Sequence, residues 1–571
     1  MASTENSQPD TTGFHVSPED CFLTFKLDLR PYQEKAIEEL VGNLNRGQDA
    51  ALNLPTGTGK TIVFLSIANA AINLGYRVAI LVATNQIIGQ IQAKYLPMFN
   101  MKVLPVVIKG IENYDCALTG EGADYGFCTP EQKTICTSNN QECDVLRVNN
   151  EFENARFVIT NYHKFISLKL EHKFDLIIID DSHGFENALD DKFQNRIAYY
   201  QLDGLFKRHD QEGGIIADFT GAFLDYFDDA FNSVPTDTYV ESMRVPNDIV
   251  KHIADIYGCD EVQSEIRKLN DLDRSICRDA CYFVKCCQNT SVNVFYIQKD
   301  HYDLEDRQEA SLIARKSRPF QINVIKGKFR NSRIIFASAT IGDVVTHANH
   351  CTFKGYTVET ISVVPKVQPD EVKNWFSGLK ILETYDFPQN TDDQIEKAAE
   401  TALGILRITQ GKTLLLFKSY RDQKRAQNVL NRLINRKITF IDDSFESETV
   451  QKYVEQADII MASASSRLWE GIDIRDLKLE IIFSLPFIRP PVYLEKNDGF
   501  QFTKRKMLIR LQQGIGRLIR NQDDKGICVI LDKRLEKYKG SKDFAEAYRE
   551  KIEPVSLDEL VEKLKLLEKS K

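Results

Sequence analysis

The stretch that most constrains this chain is Pro55-Thr56-Gly57-Thr58-Gly59-Lys60-Thr61, set between an apolar run ending at Leu54 and a helical pattern starting at Thr61. Glycines let consecutive backbone N–H groups wrap around phosphate oxygens, and the helix that follows adds the positive end of its dipole. In that frame Thr56, Gly57, Thr58 and Gly59 form the cradle. Lys60 reaches the β- and γ-phosphates of ATP, and the Thr61 hydroxyl takes a place on Mg²⁺. The strict pattern asks for glycine where Leu54 stands. The bland alternative, a glycine-rich turn before a helix, is disfavoured by the Gly-Lys-Thr ending in a strand–loop–helix context.

Such a loop needs a carboxylate at the end of a buried strand to hold Mg²⁺ and polarise water. Asp175-Leu176-Ile177-Ile178-Ile179-Asp180-Asp181-Ser182-His183 supplies four apolar residues followed by two acids. Asp180 is the candidate Mg²⁺-linked carboxylate and Asp181 the candidate water-orienting base. Two acids after an apolar run are often a strand end meeting solvent, but the phosphate loop upstream favours the functional reading.

Around these motifs the pattern alternates strand and helix: a helix over Arg30–Leu44, strands at Ala50–Leu54 and Arg77–Val82, and a helix over Thr61–Leu74 between them. Strands follow at Phe157–Thr160, Leu176–Ile179 and Arg333–Phe336. A second α/β unit begins near Lys373, with buried-strand runs at Thr413–Phe417, Ile459–Met461, Glu480–Phe483 and Ile527–Leu531. This rhythm implies parallel sheets flanked by helices. A capping box, Ser556-x-x-Glu559, opens the last helix.

At 571 residues the chain exceeds a single core and should divide into domains. No run of 18 or more apolar residues appears, which argues against a membrane span. The polar start lacks the order of a signal peptide and reads as a disordered tail. These features point to the cytoplasm, or to the nucleus in a eukaryote. The net charge of −9 does not exclude a nucleic-acid partner, because phosphate binding depends on where positive charge sits. The segment Gln501–Arg520 carries six Lys or Arg and no acid, which suits a phosphate-facing surface.

Two stretches interrupt the first unit. Cys116, Cys128, Cys136 and Cys143 lie in the first, at intervals of 12, 8 and 7 residues. Four thiolates so grouped can hold an iron–sulfur cluster or zinc, or can simply be buried, since no Cys-x-x-Cys pair is present. The second interruption has mainly helical spacing, with Tyr200, Leu202 and Leu205 apolar and then Phe219, Phe223, Leu224, Tyr226 and Phe227. It also contains Cys277, Cys281, Cys286 and Cys287, whose apolar neighbours favour buried packing over a metal site.

Taken in order, these residues resemble a superfamily 2 helicase. Arg30-Pro31-Tyr32-Gln33 is similar to the element whose glutamine reads adenine. Ala83-Thr84-Asn85 is similar to the first strand-contacting motif, and Ser338-Ala339-Thr340 to the motif that couples hydrolysis to movement. Trp469-Glu470-Gly471-Ile472-Asp473 and Gln513-Gly514-Ile515-Gly516-Arg517-Leu518-Ile519-Arg520 resemble the fifth and sixth motifs. The variants Gly110-Ile111-Glu112-Asn113-Tyr114-Asp115-Cys116, Thr160-Asn161-Tyr162-His163 and Leu531-Asp532-Lys533-Arg534 resemble the XPD/DinG branch.

The resemblance implies two RecA-like P-loop lobes, at 25–367 and 368–571, after a tail over 1–24. It implies a four-cysteine [4Fe–4S] insert at 110–155 and a helical arch-like insert at 186–318, both in the first lobe. Gly471 and Asp473 would join the nucleotide site, with Gln513, Arg517 and Arg520 as catalytic residues. Arg517 and Arg520 stand three apart on a predicted helix and so share a face, where they can stabilise charge on the transferred phosphoryl group. The branch places glutamate where this chain has Asp181, a carboxylate about one bond length shorter.

The implied function is an ATP-dependent DNA helicase moving 5′→3′ on single-stranded or forked DNA, a monomeric motor working among repair or replication proteins. The alternatives are an ATP-regulated nucleic-acid clamp with little hydrolysis, which Asp181 favours, and an RNA-directed motor.

Overall fold

The computed structural model describes residues 13–116, 143–168, 173–211, 213–233, 242–256, 261–262, 265–298, 307–384, 392–432, 436–441, 447–463, 474, 476–488, 490 and 496–569. In chain order, β1 (Asp49–Leu52), β2 (Val78–Val82), β3 (Val106–Ile108), β4 (Phe157–Asn161) and β5 (Leu176–Asp180) belong to a first sheet. An inserted sheet follows, made of β6 (Gln194–Ala198), β7 (Ser242–Arg244), β8 (Asn293–Gln298) and β9 (Ser311–Lys316). The first sheet then resumes with β10 (Arg333–Ala337) and β11 (Ile361–Val364). The second lobe contributes β12 (Leu379–Thr384), β13 (Lys412–Phe417), β14 (Ile438–Ile441), β15 (Ile459–Ser463), β16 (Leu477–Ile482), β17 (Gly526–Ile530) and β18 (Ile552–Val555).

The first sheet runs β11-β1-β10-β5-β2-β4-β3 and the second β14-β15-β13-β16-β17-β12-β18, with parallel pairing throughout. These are the two RecA-like lobes expected. Both faces of each sheet are covered, which explains the unbroken apolar runs. In the first lobe Ala50, Ile80 and Ile178 face one core while Ala51, Leu81 and Ile177 face the other. Each buried leucine or isoleucine side chain gains ~1.5–3 kcal/mol by leaving water. Because the strands are parallel, the loops after β1 and β5 leave the sheet on the same edge. That puts the phosphate loop beside Asp180.

Three expectations change. The residues before 25 are not all a tail: Phe14, Val16 and Cys21 are buried in the first-lobe core, and a helix over Pro18–Thr24 is capped by the Ser17 side chain. The second insert is not simply helical. Its helices, Tyr199–His209, Ile215–Asn232 and Asp271–Cys287 among them, pack on the antiparallel order β6-β9-β8-β7. The sheet was hard to read because β8 and β9 are short apolar runs buried nearly throughout, without alternation. The helix Phe185–Lys192 packs in the first-lobe core, so the inserted unit itself starts at β6. Within the insert Leu202, Leu205, Phe219, Phe223, Leu224 and Phe227 are buried as their spacing suggests, whereas Tyr200 faces solvent.

Cys277, Cys281, Cys286 and Cys287 lie in the insert's core. Burial pushes the Cys277 thiol up to about 12 and raises those of Cys286 and Cys287, so these groups stay protonated and pack as small apolar side chains. Among the described residues no helix is long and apolar enough to cross a membrane.

Candidate functional site

Gly57 and Gly59 adopt φ of 86°, a left-handed conformation that L side chains rarely take, and Gly59 caps the helix Lys60–Asn73. The first amides of that helix therefore open into the loop. Gln33 shapes the loop from behind. Its Nε2 donates to the Thr58 carbonyl at 2.9 Å, and its Oε1 accepts from the Arg30 N–H at 3.0 Å. The Tyr32 hydroxyl donates to the same Thr58 carbonyl at 3.0 Å. In this structure Gln33 thus braces the loop. Thr61 sits half-buried in the first helical turn.

Lys60 closes the loop over itself, its Nζ donating to the carbonyls of Leu54 at 3.0 Å and Pro55 at 3.3 Å. Burial lowers the pKa of its ammonium, Asp181 and Asp180 oppose that, and Arg520 of the second lobe adds to the lowering. Asp180 is pushed up to about 8 by burial and by the neighbouring Asp181, with Lys60 pulling the other way. Both acids sit on a turn in which Asp181 has φ of 48° and donates its N–H to Asp180 Oδ1 at 3.1 Å. The Tyr162 hydroxyl donates to the Asp180 carbonyl and to that of Asp181. Tyr162, within Thr160-Asn161-Tyr162-His163, therefore anchors the acidic turn.

His183 continues the site across the lobes. Its Nδ1 lies 2.9 Å from Ser338 Oγ, which also accepts the Thr340 N–H at 3.1 Å. Its Nε2 contacts the Gln513 side chain of the second lobe. The Ser338-Ala339-Thr340 turn, the Asp180–His183 turn and Gln513 are thus one connected network.

The second lobe closes the cleft by backbone contact. A Cβ at Gly57 would stand 2.1 Å from the Arg520 carbonyl oxygen, so only glycine fits. Trp375, one of two tryptophans in the chain, donates its Nε1 proton to the Thr56 carbonyl at 3.1 Å. Arg520 acts electrostatically on Lys60, whereas Arg517 is buried at 5% exposure and acts on Glu480 within its own lobe. Arg520 also acts on Tyr548, which in turn feels Glu480.

Beside this network lies a charge cluster with no marker in the sequence. Glu186, 4% exposed, meets Arg505 at 2.8 Å, Lys506 at 2.6 Å and His350 Nδ1 at 2.8 Å. Burial raises the Glu186 carboxyl, but Lys506, Arg505 and His350 overcome it and hold it well below the usual range. His347, packed below with its Nε2 3.1 Å from Ser182 Oγ, is lowered to about 3 by burial. The basic run is therefore not wholly phosphate-facing: Arg505 and Lys506 neutralise a first-lobe carboxylate instead.

Cys116 and Cys143 are buried, and Ile111 and Tyr114 pack against the small cluster of Cys143 and Val145, so the two ends of the first insert converge. Cys128 and Cys136 lie outside the described residues, as do Gly471 and Asp473. Among the described residues no group of three or more His, Cys, Asp or Glu is placed to hold a metal ion.

Two family models match the chain: the res subunit of type III restriction enzymes over residues 26–207, and a helicase C-terminal domain over 402–551. A "3'-5' exonuclease DinG" of Staphylococcus epidermidis is 29% identical over 27% of this chain and 18% of its own length. A "Probable ATP-dependent helicase" of Methanocaldococcus jannaschii is 23% identical over 93% of this chain and 95% of its own. A solved XPD helicase superposes with a TM-score of 0.66 at 16% identity, covering 93% of this chain and all of that one. The matches to the first bacterial relatives span only 18–33% of those proteins. Motif order, the two parallel-sheet lobes and these likenesses support a superfamily 2 helicase of the XPD/DinG type.

Proposed function

We propose that this chain is an ATP-dependent DNA motor that couples hydrolysis between its lobes to 5′→3′ movement on single-stranded DNA and to duplex unwinding. The observation that carries the reading is the bridge from Ser338 through His183 to Gln513, which ties the acidic turn of one lobe to the arginine segment of the other. A change at the nucleotide is thereby mechanically linked to the relative position of the lobes.

In the catalytic step Lys60 exchanges the carbonyls of Leu54 and Pro55 for phosphate oxygens. Asp181 orients the attacking water, and Arg520 offsets charge on the transferred phosphoryl group. Arg517 is assigned to the same charge-stabilising role. Thr61 and Asp180 fit a Mg²⁺ ion: Asp180 is a buried carboxyl at the end of β5, raised by burial and by the adjacent Asp181, on the same sheet edge as the phosphate loop. Bound there, the ion would neutralise charge on the phosphates. The [4Fe–4S] cluster is assigned to Cys116, Cys128, Cys136 and Cys143, supported by the converging, buried ends of the insert.

DNA is supported by a cavity of about 910 Å³ where the first lobe, the inserted sheet and the second-lobe helix Lys496–Ile515 meet. Its lining mixes charges: Glu186, Asp190 and Asp343 are paired with Arg505, Arg315 and Lys542, Asp498 and Asp543 also line it, and Arg244, Lys316 and Arg318 stand beside the aromatic Phe502. Those three cations beside an aromatic ring suit a sugar-phosphate strand with stacked bases.

The test is ATPase activity with and without single-stranded DNA, followed by unwinding of 5′-tailed, 3′-tailed and RNA duplexes. Absence of stimulation, or wild-type activity in Lys60→Ala, sinks the motor reading. Preference for a 3′ tail or for RNA corrects its direction or substrate. Iron content after anaerobic purification tests the cluster. The clamp alternative rests on Asp181: if Asp181→Glu raises slow basal hydrolysis many-fold, ATP serves mainly to regulate grip.

A further inference from the structure

The segment after Ser338-Ala339-Thr340 makes its own contact with the second lobe. Ile341-Gly342-Asp343 leads into the helix Val344–Thr352, and Asp343 caps that helix, its Oδ1 accepting the Thr346 N–H at 2.8 Å. The cap fixes the Asp343 backbone and leaves its own N–H outside the helix ladder. That N–H donates to Asp543 Oδ1 of the second lobe at 3.3 Å, and Asp343 Oδ2 accepts from Lys542 Nζ at 2.5 Å. Gly342 permits the approach: its φ is 72°, and a Cβ there would stand 3.2 Å from the same Asp543 oxygen.

The second lobe holds Asp543 ready for this contact. Its carbonyl accepts from Gln512 Nε2 at 2.8 Å, and Gln512 Oε1 accepts the Ala545 N–H at 2.7 Å. Ser541 Oγ donates to Asp543 Oδ2 at 3.1 Å, while Oδ1 is the oxygen turned to the first lobe. Phe544, the next residue, belongs to the core that holds Leu508, Leu511 and Ile515. Gln512 is itself buried and precedes Gln513, whose side chain contacts His183. Neighbouring glutamines thus serve the two ends of one first-lobe segment. Gln513 acts through His183 at Ser338, and Gln512 acts through Asp543 at Asp343.

Adhesion does not account for this arrangement. The seam already has its buried ion pairs at Glu186, and an ion pair whose lysine is as exposed as Lys542 adds little. A buried carboxylate committed to one backbone N–H of a short segment sets where that segment stands.

We propose that Asp543 is a positioning residue for the Ser338-Ala339-Thr340 turn: by holding the Asp343 N–H it sets the far end of the segment, and so where Ser338 Oγ meets His183 when the lobes close on nucleotide. A segment tied at one end can swing, whereas one tied at both transmits a displacement of the second lobe to the acidic turn. This rests on the ATP-motor reading, and the test separates the two.

The full chain is assayed for ATPase at saturating single-stranded DNA, for the DNA concentration giving half-stimulation, and for thermal midpoint. The variants are Asp543→Ala, Asp543→Asn, Ser338→Ala and the Asp543→Ala/Ser338→Ala double variant. Asp543→Ala should lower kcat about tenfold with KM for ATP nearly unchanged, the pattern of a contact that matters in the transition state. Its midpoint and half-stimulating DNA concentration should stay near wild type. Asp543→Asn keeps Oδ1 as an acceptor, and Ser541 Oγ can accept from the new amide, so most of the rate should return. Ser338→Ala should itself slow turnover, and adding Asp543→Ala should cost less than about twofold more, because both act through one contact.

Absence of DNA stimulation in the wild type, or wild-type kcat in Lys60→Ala, removes the motor reading and this role with it. A stimulated wild type with wild-type kcat in Asp543→Ala or in Ser338→Ala overturns the positioning role alone. Equal losses in Asp543→Ala and Asp543→Asn, or additive losses in the double variant, likewise overturn it. So does a change confined to the half-stimulating DNA concentration, which would put Asp543 in the path of the strand. If Asp543→Ala does not fold, Asp543→Ser is read by the same criteria, and failure of both to fold makes the residue structural and ends the proposal.

Discussion

Glu186 and Glu480 are the same residue type, buried to the same degree, in opposite circumstances. Glu186, at the seam between the lobes, is met by Arg505, Lys506 and His350, and its carboxyl is held well below the usual range. Glu480, in the second-lobe core, has no hydrogen bond among the described residues, and burial pushes it up to about 8 against the pull of Arg517. Burial alone does not decide the charge of a carboxyl; the number of cations within reach does. The seam is held by ions that are satisfied only when the lobes meet.

The largest expected effect is at the seam. Glu186→Gln leaves Arg505 and Lys506 buried without their counter-charge, and denaturant unfolding should read a loss of ~3–5 kcal/mol. A loss below about 1 kcal/mol breaks the comparison, because the cations would then be finding water. Next comes Gly57→Ala, whose Cβ would collide with the Arg520 carbonyl at 2.1 Å. Closure should fail and ATPase fall by roughly a hundredfold, a scale typical of small misplacements at a catalytic site. Wild-type turnover would mean that the working cleft is more open than this one.

The two glutamates should also differ in sign with pH. Glu480 has a folded pKa near 8 against an ordinary 4.5, so the folded chain keeps a proton that the unfolded chain releases in that window. Its contribution therefore makes stability fall as pH rises from 4.5 to 8, and Glu480→Gln should flatten that slope. Glu186, depressed when folded, stabilises above its ordinary 4.5 and loses that contribution as pH falls through the folded value. Identical pH profiles for wild type and Glu480→Gln would place the Glu480 carboxyl nearer water than its burial implies. The smallest effect is at Trp375→Phe, which removes the hydrogen bond to Thr56 and should cost about 1 kcal/mol, read as a small shift in thermal midpoint.

Elements with local causes were legible beforehand. The strand at Leu176–Asp180 announces itself as an apolar run, the helix after Gly59 by its loop, and the last helix by its capping box, in which Ser556 and Glu559 exchange hydrogen bonds. Elements whose cause is distant were not. The helix Pro18–Thr24 follows a polar start and is fixed by burying Cys21 against the first-lobe core. Tyr162 was visible as part of a motif, yet its bond to the acidic turn needs β4 and β5 brought into one sheet.

What the sequence determined by itself is the chemistry of the cleft: a glycine loop, a lysine, two acids and an arginine segment, each dictated by the requirements of phosphate within a few residues of chain. Which charges meet is set by packing. Lys504, Arg505, Lys506 and Arg510 are equivalent to a reader of the sequence. Folding buries Arg505 and Lys506 against Glu186, more than three hundred residues away, at 319 positions' separation from Arg505. Arg517 and Arg520, three apart, are sent to different partners, one toward Glu480 and one toward Lys60. Electrostatic pairing acts through space over a few ångströms, and only the packed lobes set those distances.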